Sequence, residues 1–365
     1  MQNDDGGKIV DSKLQYIFVH GLSGWGSYDQ QYRRMPYWGM RSGDLISFLR
    51  EEGYDCYAAS VSPTGSAWDR ACELYAQLAG VRTDYGEAHC SRYRHERYGR
   101  DFSEDPLIPS WDKDTRLVLL GHSFGGATVR MLSELMANGN EEERGRQNAG
   151  ALFHGGMEQH LHSIVALAAP MNGTTAYDLL EDQNFDPSRV KVPWWSNGLS
   201  RMLSTGTKPR RDGRDQNDYA DYDMHIDHAL EMNRRISTLP SVYYFSVPCS
   251  ASCLQPDGTH TPRENMEPMF VKRSCQIGAY TGRTKGGIAI GREWQENDGL
   301  VNTISAMSPE GAPAKPFDRN AVERGIWNVF PTVRGDHMWL QGGLMQKHDI
   351  RGFYLDLLRI IESAV

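Results

Sequence analysis

Along the 365-residue chain, short apolar runs alternate with segments whose apolar residues recur every three or four positions. "YIFVHG" (16–21) is a run of the first kind and enters a glycine turn. "GDLISFLREEG" (43–53) carries a helical stripe stopped by Gly53, and "YDCYAASV" (54–61) returns as a strand. The strand signal repeats in "LVLL" (117–120), "SIVALAAP" (163–170), "VYYFSVP" (242–248) and, more weakly, "IWNVFPTV" (326–333). "FYLDLLRIIESAV" (353–365) closes the chain as a helix. Strands that are apolar throughout are buried on both faces, and their alternation with helices predicts a mostly parallel sheet with helices on both sides. Two stretches break the rhythm. Residues 62–105 hold the helix "WDRACELYAQLAG" and then a polar run with His89 and His95, and residues 176–230 are mostly polar around "VPWWSNGLSRML". Both read as insertions in one decorated α/β domain spanning 1–365.

With 39% hydrophobic and 24% charged residues, the chain can bury a large core and is not disordered. A formal net charge of −8 without a long Lys/Arg block excludes nucleic acid as the main partner. No apolar run reaches the length of a membrane-crossing helix. The opening "MQNDDGGKIVDSK" is polar and lacks the apolar core of a signal peptide, so a mature secreted chain is expected, with a cytosolic one as the alternative. Six cysteines do not make a disulfide scaffold at this length. Cys72 falls in a helical pattern as a buried thiol, whereas Cys249, Cys253 and Cys275 leave one bridge or none open.

The chemistry begins where "LVLL" meets Gly121-His122-Ser123-Phe124-Gly125-Gly126 and a helical pattern follows from Ala127. So tight a turn forces its central residue into a strained, positive-φ conformation, and flanking glycines remove the side chains that would clash. The serine is left exposed at the tip, next to the first free N–H groups of a helix. This is the G-x-S-x-G nucleophile elbow, in which the N–H of Phe124 helps to hold an oxyanion. The alternative is a glycine-rich turn with an incidental serine.

A nucleophilic serine needs a base and an acid that orients the base, following it along the chain as acid, then His. Eight of the twelve histidines follow Ser123, but only His337 and His348 lie beyond the last strand signal. His337 directly follows the "NVFPTV" strand and is the expected base, while His348 approaches the final helix and reads as solvated. In "WQENDGLVN" (294–302), Asp298 stands in a loop after the "VYYFSVP" strand and is the expected acid. Asp-Gly is also a common turn pair. Asp336 adjoins His337, but neighbours on a loop rarely face one another. "VHGLSGWG" (19–26) supplies the second oxyanion donor, the N–H of Leu22, with His20 structural.

"VHGLSGWG", "YWG", "WDRACELYAQL", "DYGEAH", "YGR", "GHSFGG", "WQENDGLVNT" and "GDHMWL" succeed one another in one order. That series resembles the thermoalkalophilic, zinc-containing bacterial lipases and their esterase relatives, some of which attack synthetic polyesters. The resemblance covers most of the chain and is weakest from about 178 to 215. It implies an α/β-hydrolase fold, a triad of Ser123, Asp298 and His337, and an oxyanion hole formed by the N–H groups of Leu22 and Phe124. It also implies one zinc held by Asp69, His89, His95 and Asp218. A site filled by four protein groups leaves no position for water and is structural. Without the resemblance, His89 and His95 read as ordinary surface histidines, and Asp215, Asp221 and Asp223 compete with Asp218.

The chain also departs from that pattern. The thermophilic members bind calcium through a Glu two residues after the His and an Asp further on. Here Trp339 stands at the first position and no carboxylate precedes Asp349, so calcium is not expected. The family often has Ala in place of Gly121, a change expected to leave the elbow intact. The lid segment before Asp218 is shorter, which leaves the serine more open and favours short-chain or bulky accessible esters. Trp194, Trp195, Leu199 and Met202 are candidates for an apolar rim, or else for core. The expected function is carboxylic ester hydrolysis. Its rivals are a hydrolase with a catalytic zinc on Asp69, His89 and His95, and a catalytically silent binding module.

Overall fold

The computed structural model describes residues 14–196, 212–345 and 347–364. Its centre is a sheet of seven strands, all paired in parallel. They are β1 Leu14–Val19, β2 Cys56–Ala59, β3 Arg116–His122, β4 Leu161–Leu167, β5 Tyr243–Val247, β6 Ala314–Pro316 and β7 Trp327–Val329, in the spatial order β6-β7-β5-β4-β3-β1-β2. The helices that matter below are α1 Leu45–Glu51, α2 Ala67–Ala79, α3 Glu87–Tyr93, α4 Gly125–Asn138, α5 Thr175–Glu181, α6 Ile226–Arg235, α7 Pro268–Ala279 and α8 Arg351–Ser363.

Alternate residues along each strand enter different cores, as the two-residue period of a strand requires. Ile17, Val19, Leu117, Leu119 and Ile164 meet Cys72, Leu74 and Leu78 of α2 and Val129, Leu132 and Met136 of α4. Tyr16, Phe18, Val118, Leu120 and Val165 meet Leu45 and Leu49 of α1 and Tyr354, Leu357 and Ile361 of α8. The helices thus cover both faces, and each fully buried aliphatic side chain contributes about 1.5–3 kcal/mol.

The helix α2 lies in the core of the sheet, so the first of the two extra stretches leaves the sheet only after Gly80. There Arg82–Asp84 pairs antiparallel with Tyr98–Asp101, and α3 sits between them. Residues 218–223 latch onto the start of α2. Tyr219 bridges Gly65, the Ala220 N–H donates to Thr64 O, and the Ala67 N–H donates to Asp223 Oδ2.

Two elements carry no clear sequence signal. β6 is three residues long, ends in Pro316 and lies at the sheet edge, where a proline is tolerated. The pattern of α7 is interrupted by Lys272, Arg273 and Gln276, although Phe270, Val271 and Cys275 pack together as a small core. All six cysteines are free thiols, so the option of a bridge among Cys249, Cys253 and Cys275 is not taken.

The order of the sheet fixes where a site can form. The chain lays β2 on one side of β1, crosses back, and lays β3 and the later strands on the other side. Ligands of open α/β sheets bind where the order reverses, beyond the carboxyl ends of the strands. Here that point lies between the ends of β1 and β3, at Gly21 and Ser123.

Candidate active site

Ser123 follows the last residue of β3 with φ +54°, a strained value for a residue with a side chain. Its N–H donates to Leu167 O at 2.8 Å and its C=O accepts from the Gly126 N–H at 2.9 Å, which holds the turn between β4 and α4. A Cβ on Gly125 would lie 2.4 Å from Val19 O, and one on Gly126 the same distance from Ala169 Cβ. A Cβ on Gly121 would lie 2.3 Å from Gly125 O. The elbow is intact with glycine at 121, and alanine there would require backbone to move in this chain.

The serine faces the residues that chain order nominates. His337 Nε2 lies 2.8 Å from Ser123 Oγ, and His337 Nδ1 lies 2.8 Å from Asp298 Oδ2. Asp298 Oδ1 accepts the N–H groups of Leu300 and Val301 at 3.0 and 2.8 Å, so the turn made by Asp298-Gly299 orients the carboxylate. The His337 N–H also donates to Asp298 O at 2.9 Å, which joins the two loops. Asp336 points elsewhere, to the N–H groups of Glu267 and Met338, and burial pushes its carboxyl up to about 6. His348 packs against Trp339 and takes no part.

On the other side of Ser123 are Leu22 and Phe124. Among the described residues, neither backbone N–H donates to a protein group. Burial, with the nearby Arg70 charge, holds His20 neutral, and in that state its Nδ1–H donates to Gly21 O while its Nε2 accepts from the Val61 N–H. His122 is also buried, and burial followed by the neighbouring His337 pulls its pKa well below the ordinary value. It donates Nε2–H to His337 O at 3.0 Å, and its Nδ1 accepts from Tyr37 OH at 2.8 Å. The same Tyr37 hydroxyl accepts the Gly21 N–H. Residue order gives no hint of Tyr37, Arg70, His122 or Gln341, which brace the loops from behind. Such roles depend on contacts between distant segments, and only the fold brings these together.

Ser123 itself is 7% exposed, and part of the lid segment, 197–211, lies outside the described residues. Trp194 is 86% exposed and Trp195 is 44% exposed, so neither is core. Leu199 and Met202 lie outside the described residues.

A second polar group sits where α2, α3 and the 212–223 segment meet. One ligand atom from each of Asp69, His89, His95 and Asp218 lies within 4.8 Å of the others, which makes them a candidate metal-binding group. Asp69, His89 and Asp218 are buried, so His89 is not an ordinary surface histidine. His89 Nε2 lies 3.0 Å from Asp69 Oδ1 and 3.3 Å from Asp218 Oδ1, and His95 Nε2 lies 3.2 Å from Asp218 Oδ2. Donors around a tetrahedral ion with bonds of about 2.0–2.1 Å stand roughly 3.3 Å apart, so the spacing fits zinc. His95 Nε2 is buried yet makes no directed hydrogen bond, while its Nδ1 faces Glu96 O at 3.0 Å. That leaves a lone pair aimed into the group, with the tautomer set from behind as in metal-bound histidines. Burial pulls the His89 pKa down, but hydrogen bonds to Asp218 and Asp69 outweigh it and hold the value above the ordinary one. Arg214 also reaches in, with Nη2 2.5 Å from Asp69 Oδ2 and 2.6 Å from Asp218 Oδ2. Asp215, Asp221 and Asp223 stay outside the group.

With this geometry in view, the likeness to known proteins falls into place. Residues 12–189 and 212–351 match the family model described as "Lipase-like, C-terminal domain". "Lipase 2" of Staphylococcus aureus is 33% identical over 355 residues, covering 90% of this chain and 50% of that protein. "Lipase" of Staphylococcus epidermidis is 32% identical over 357 residues, covering 88% and 48%. The chain spans about half the length of these curated relatives. Among solved structures, EstA from Clostridium botulinum superposes with a TM-score of 0.81 at 30% identity, covering 96% of this chain and 87% of EstA. The Staphylococcus hyicus lipase superposes with a TM-score of 0.78 at 29% identity, covering 100% and 99%. With both halves of the sheet and the elbow inside the matched ranges, this chain belongs to the lipase-like C-terminal domain family of bacterial lipases.

Proposed function

We propose that this chain is a carboxylic ester hydrolase that works through an acyl-enzyme on Ser123. The observation that carries this reading is the unbroken line of hydrogen bonds from Asp298 through His337 to Ser123 Oγ, each 2.8 Å long. In this mechanism His337 Nε2 takes the hydroxyl proton as Oγ attacks the ester carbonyl. Asp298 holds Nδ1–H and stabilises the imidazolium that forms. The carbonyl oxygen becomes an oxyanion held by the N–H groups of Leu22 and Phe124. His337 then returns the proton to the leaving alcohol, and water releases the acid by the same route.

Asp69, His89, His95 and Asp218 would hold one zinc in this reading, and the ion would supply a cross-link rather than a reaction step. Four protein ligands would leave no coordination position for water, which speaks against the rival in which a zinc-bound water attacks the ester. The family likeness and the uncommitted N–H groups beside Ser123 speak against a silent binding module. Short-chain or bulky accessible esters, polyesters among them, are the proposed substrates, and the exposed Trp194 offers an apolar contact for them. A secreted mature chain is part of the same reading. Together the extra stretches around residues 62–105 and 176–230 are decorations on one domain.

Ser123→Ala decides the nucleophile. It should abolish hydrolysis of a chromogenic butyrate ester with unchanged melting, and retained turnover would overturn the assignment. A serine-directed phosphonate should inactivate the enzyme. Rapid, complete inactivation by a chelator with the fold intact would favour a catalytic metal instead. The same assay across acyl lengths and on an aromatic polyester film ranks the substrates.

A further inference from the structure

One buried cation has no role in the steps above. Arg70, in α2, is 0% exposed, and burial pulls its pKa down to about 10, so it is still charged at neutral pH. Among the described residues no carboxylate forms a salt bridge with its guanidinium, Glu73 attracts it only through space, and its Nε has no partner. A buried charge left unpaired is costly and is retained only where something depends on it.

What the guanidinium does touch is the loop beside Ser123. Its Nη2 donates to His20 O, and its Nη1 lies 3.4 Å from Gly21 O, a carbonyl that His20 Nδ1 also holds at 2.8 Å. Gly21 C=O and Leu22 N–H belong to one planar, trans peptide unit and point in opposite directions. A donor that holds the carbonyl on the α2 side therefore turns the Leu22 N–H away from α2. The opposite end of Gly21 is fixed by Tyr37 OH, and a Cβ on Gly21 would lie only 3.2 Å from Ser123 Oγ, so this peptide unit sits beside the nucleophile. The Arg70 Cζ also lies 5.2 Å over the ring centroid of Phe124, the residue with the other free N–H. One side chain thus reaches the carbonyl of the Gly21–Leu22 peptide unit and the ring of Phe124.

We propose that Arg70 is a positioning residue for the oxyanion hole, which sets the Leu22 peptide unit and steadies Phe124 while keeping a positive charge behind the developing oxyanion. The inference rests on the ester-hydrolase reading. Its effect belongs to the transition state, because a ground-state carbonyl carries little charge for these donors to meet.

The test uses the full chain with Arg70→Gln and Arg70→Lys, a chromogenic butyrate ester, and an alkyl trifluoromethyl ketone that adds reversibly to the serine and leaves an oxyanion. Arg70→Gln should lower kcat by about 10²-fold, the size found when one oxyanion donor is lost, with KM changed less than threefold. The inhibition constant of the ketone should rise by the same factor as kcat/KM falls, and Arg70→Lys should recover part of both. A folded Arg70→Gln with kcat and inhibition constant near those of the parent would overturn the proposal. So would a fall in kcat without weaker ketone binding, or loss of folding in both variants, which would make the residue structural. If Ser123→Ala retained activity, the ester-hydrolase reading itself would fail. A dead Ser123→Ala beside a fully active Arg70→Gln would remove only this inference.

Discussion

The line through Ser123 and the group around His89 are both buried, both polar and both built from segments far apart in sequence, yet they are finished to different degrees. In the first, every side-chain atom has its partner: Ser123 on His337, His337 on Asp298, and Asp298 on two backbone N–H groups. In the second, His95 Nε2 makes no directed hydrogen bond although Asp218 Oδ2 lies 3.2 Å away, and two carboxylates share the guanidinium of Arg214. A satisfied network can fold and wait for its substrate, whereas an unsatisfied one is incomplete without a further ligand. The supports differ as well. Ser123 and His337 follow strands of the central sheet, while α3 and the 212–223 segment are held from outside it, by the start of α2 and by Glu143 on the first N–H groups of α3.

If this contrast is right, breaking the first group should remove activity and spare stability, and breaking the second should do the reverse. The largest effect is expected from His337→Ala, which should lower kcat on the butyrate ester by about 10⁴-fold or more with little change in melting temperature. Next, His89→Ala and His95→Ala should each lose the one equivalent of zinc expected by elemental analysis. They should melt earlier by several degrees, because a ligand that binds only the folded state adds to stability. Unchanged melting in metal-free protein would erase the contrast. Gly121→Ala should destabilise by about 1–3 kcal/mol in urea unfolding, as expected when a methyl is forced into packed structure. Wild-type stability would mean that the elbow relaxes freely.

The smallest expected effect concerns Asp336, the carboxyl that adjoins His337 but stays off the line. Burial raises its folded pKa from 3.8 to about 6. The unfolded chain therefore releases this proton first, and the associated stability is present below about pH 4 and lost as pH rises to about 6. Across that window, wild type should lose on the order of 1–2 kcal/mol more than Asp336→Asn in urea unfolding. Parallel curves would show that this carboxyl is not perturbed.

Much of this was legible in the residues. The apolar runs located six of the seven strands, because double-sided burial leaves a strong local signal. Ser123, His337 and Asp298 followed from residue order and loop position, since the fold sets both. The missed edge strand Ala314–Pro316 has no apolar run because it lies at the sheet margin. His89, His95 and Asp69 required a family resemblance, because ligands gathered from insertions follow no local spacing. Arg70 and His122 escaped notice for the opposite reason: each adjoins a residue of evident interest and works behind it.

One helix places Asp69 and Arg70 side by side, the first among the candidate metal ligands and the second against the loop beside Ser123. Under the two proposals above, a substitution that loosens the start of α2 would be felt in turnover as well as in metal content. The extra stretch anchored there is then no ornament that a lineage can shed. Selection for catalysis alone would retain it, even in a habitat where added heat resistance carries no advantage.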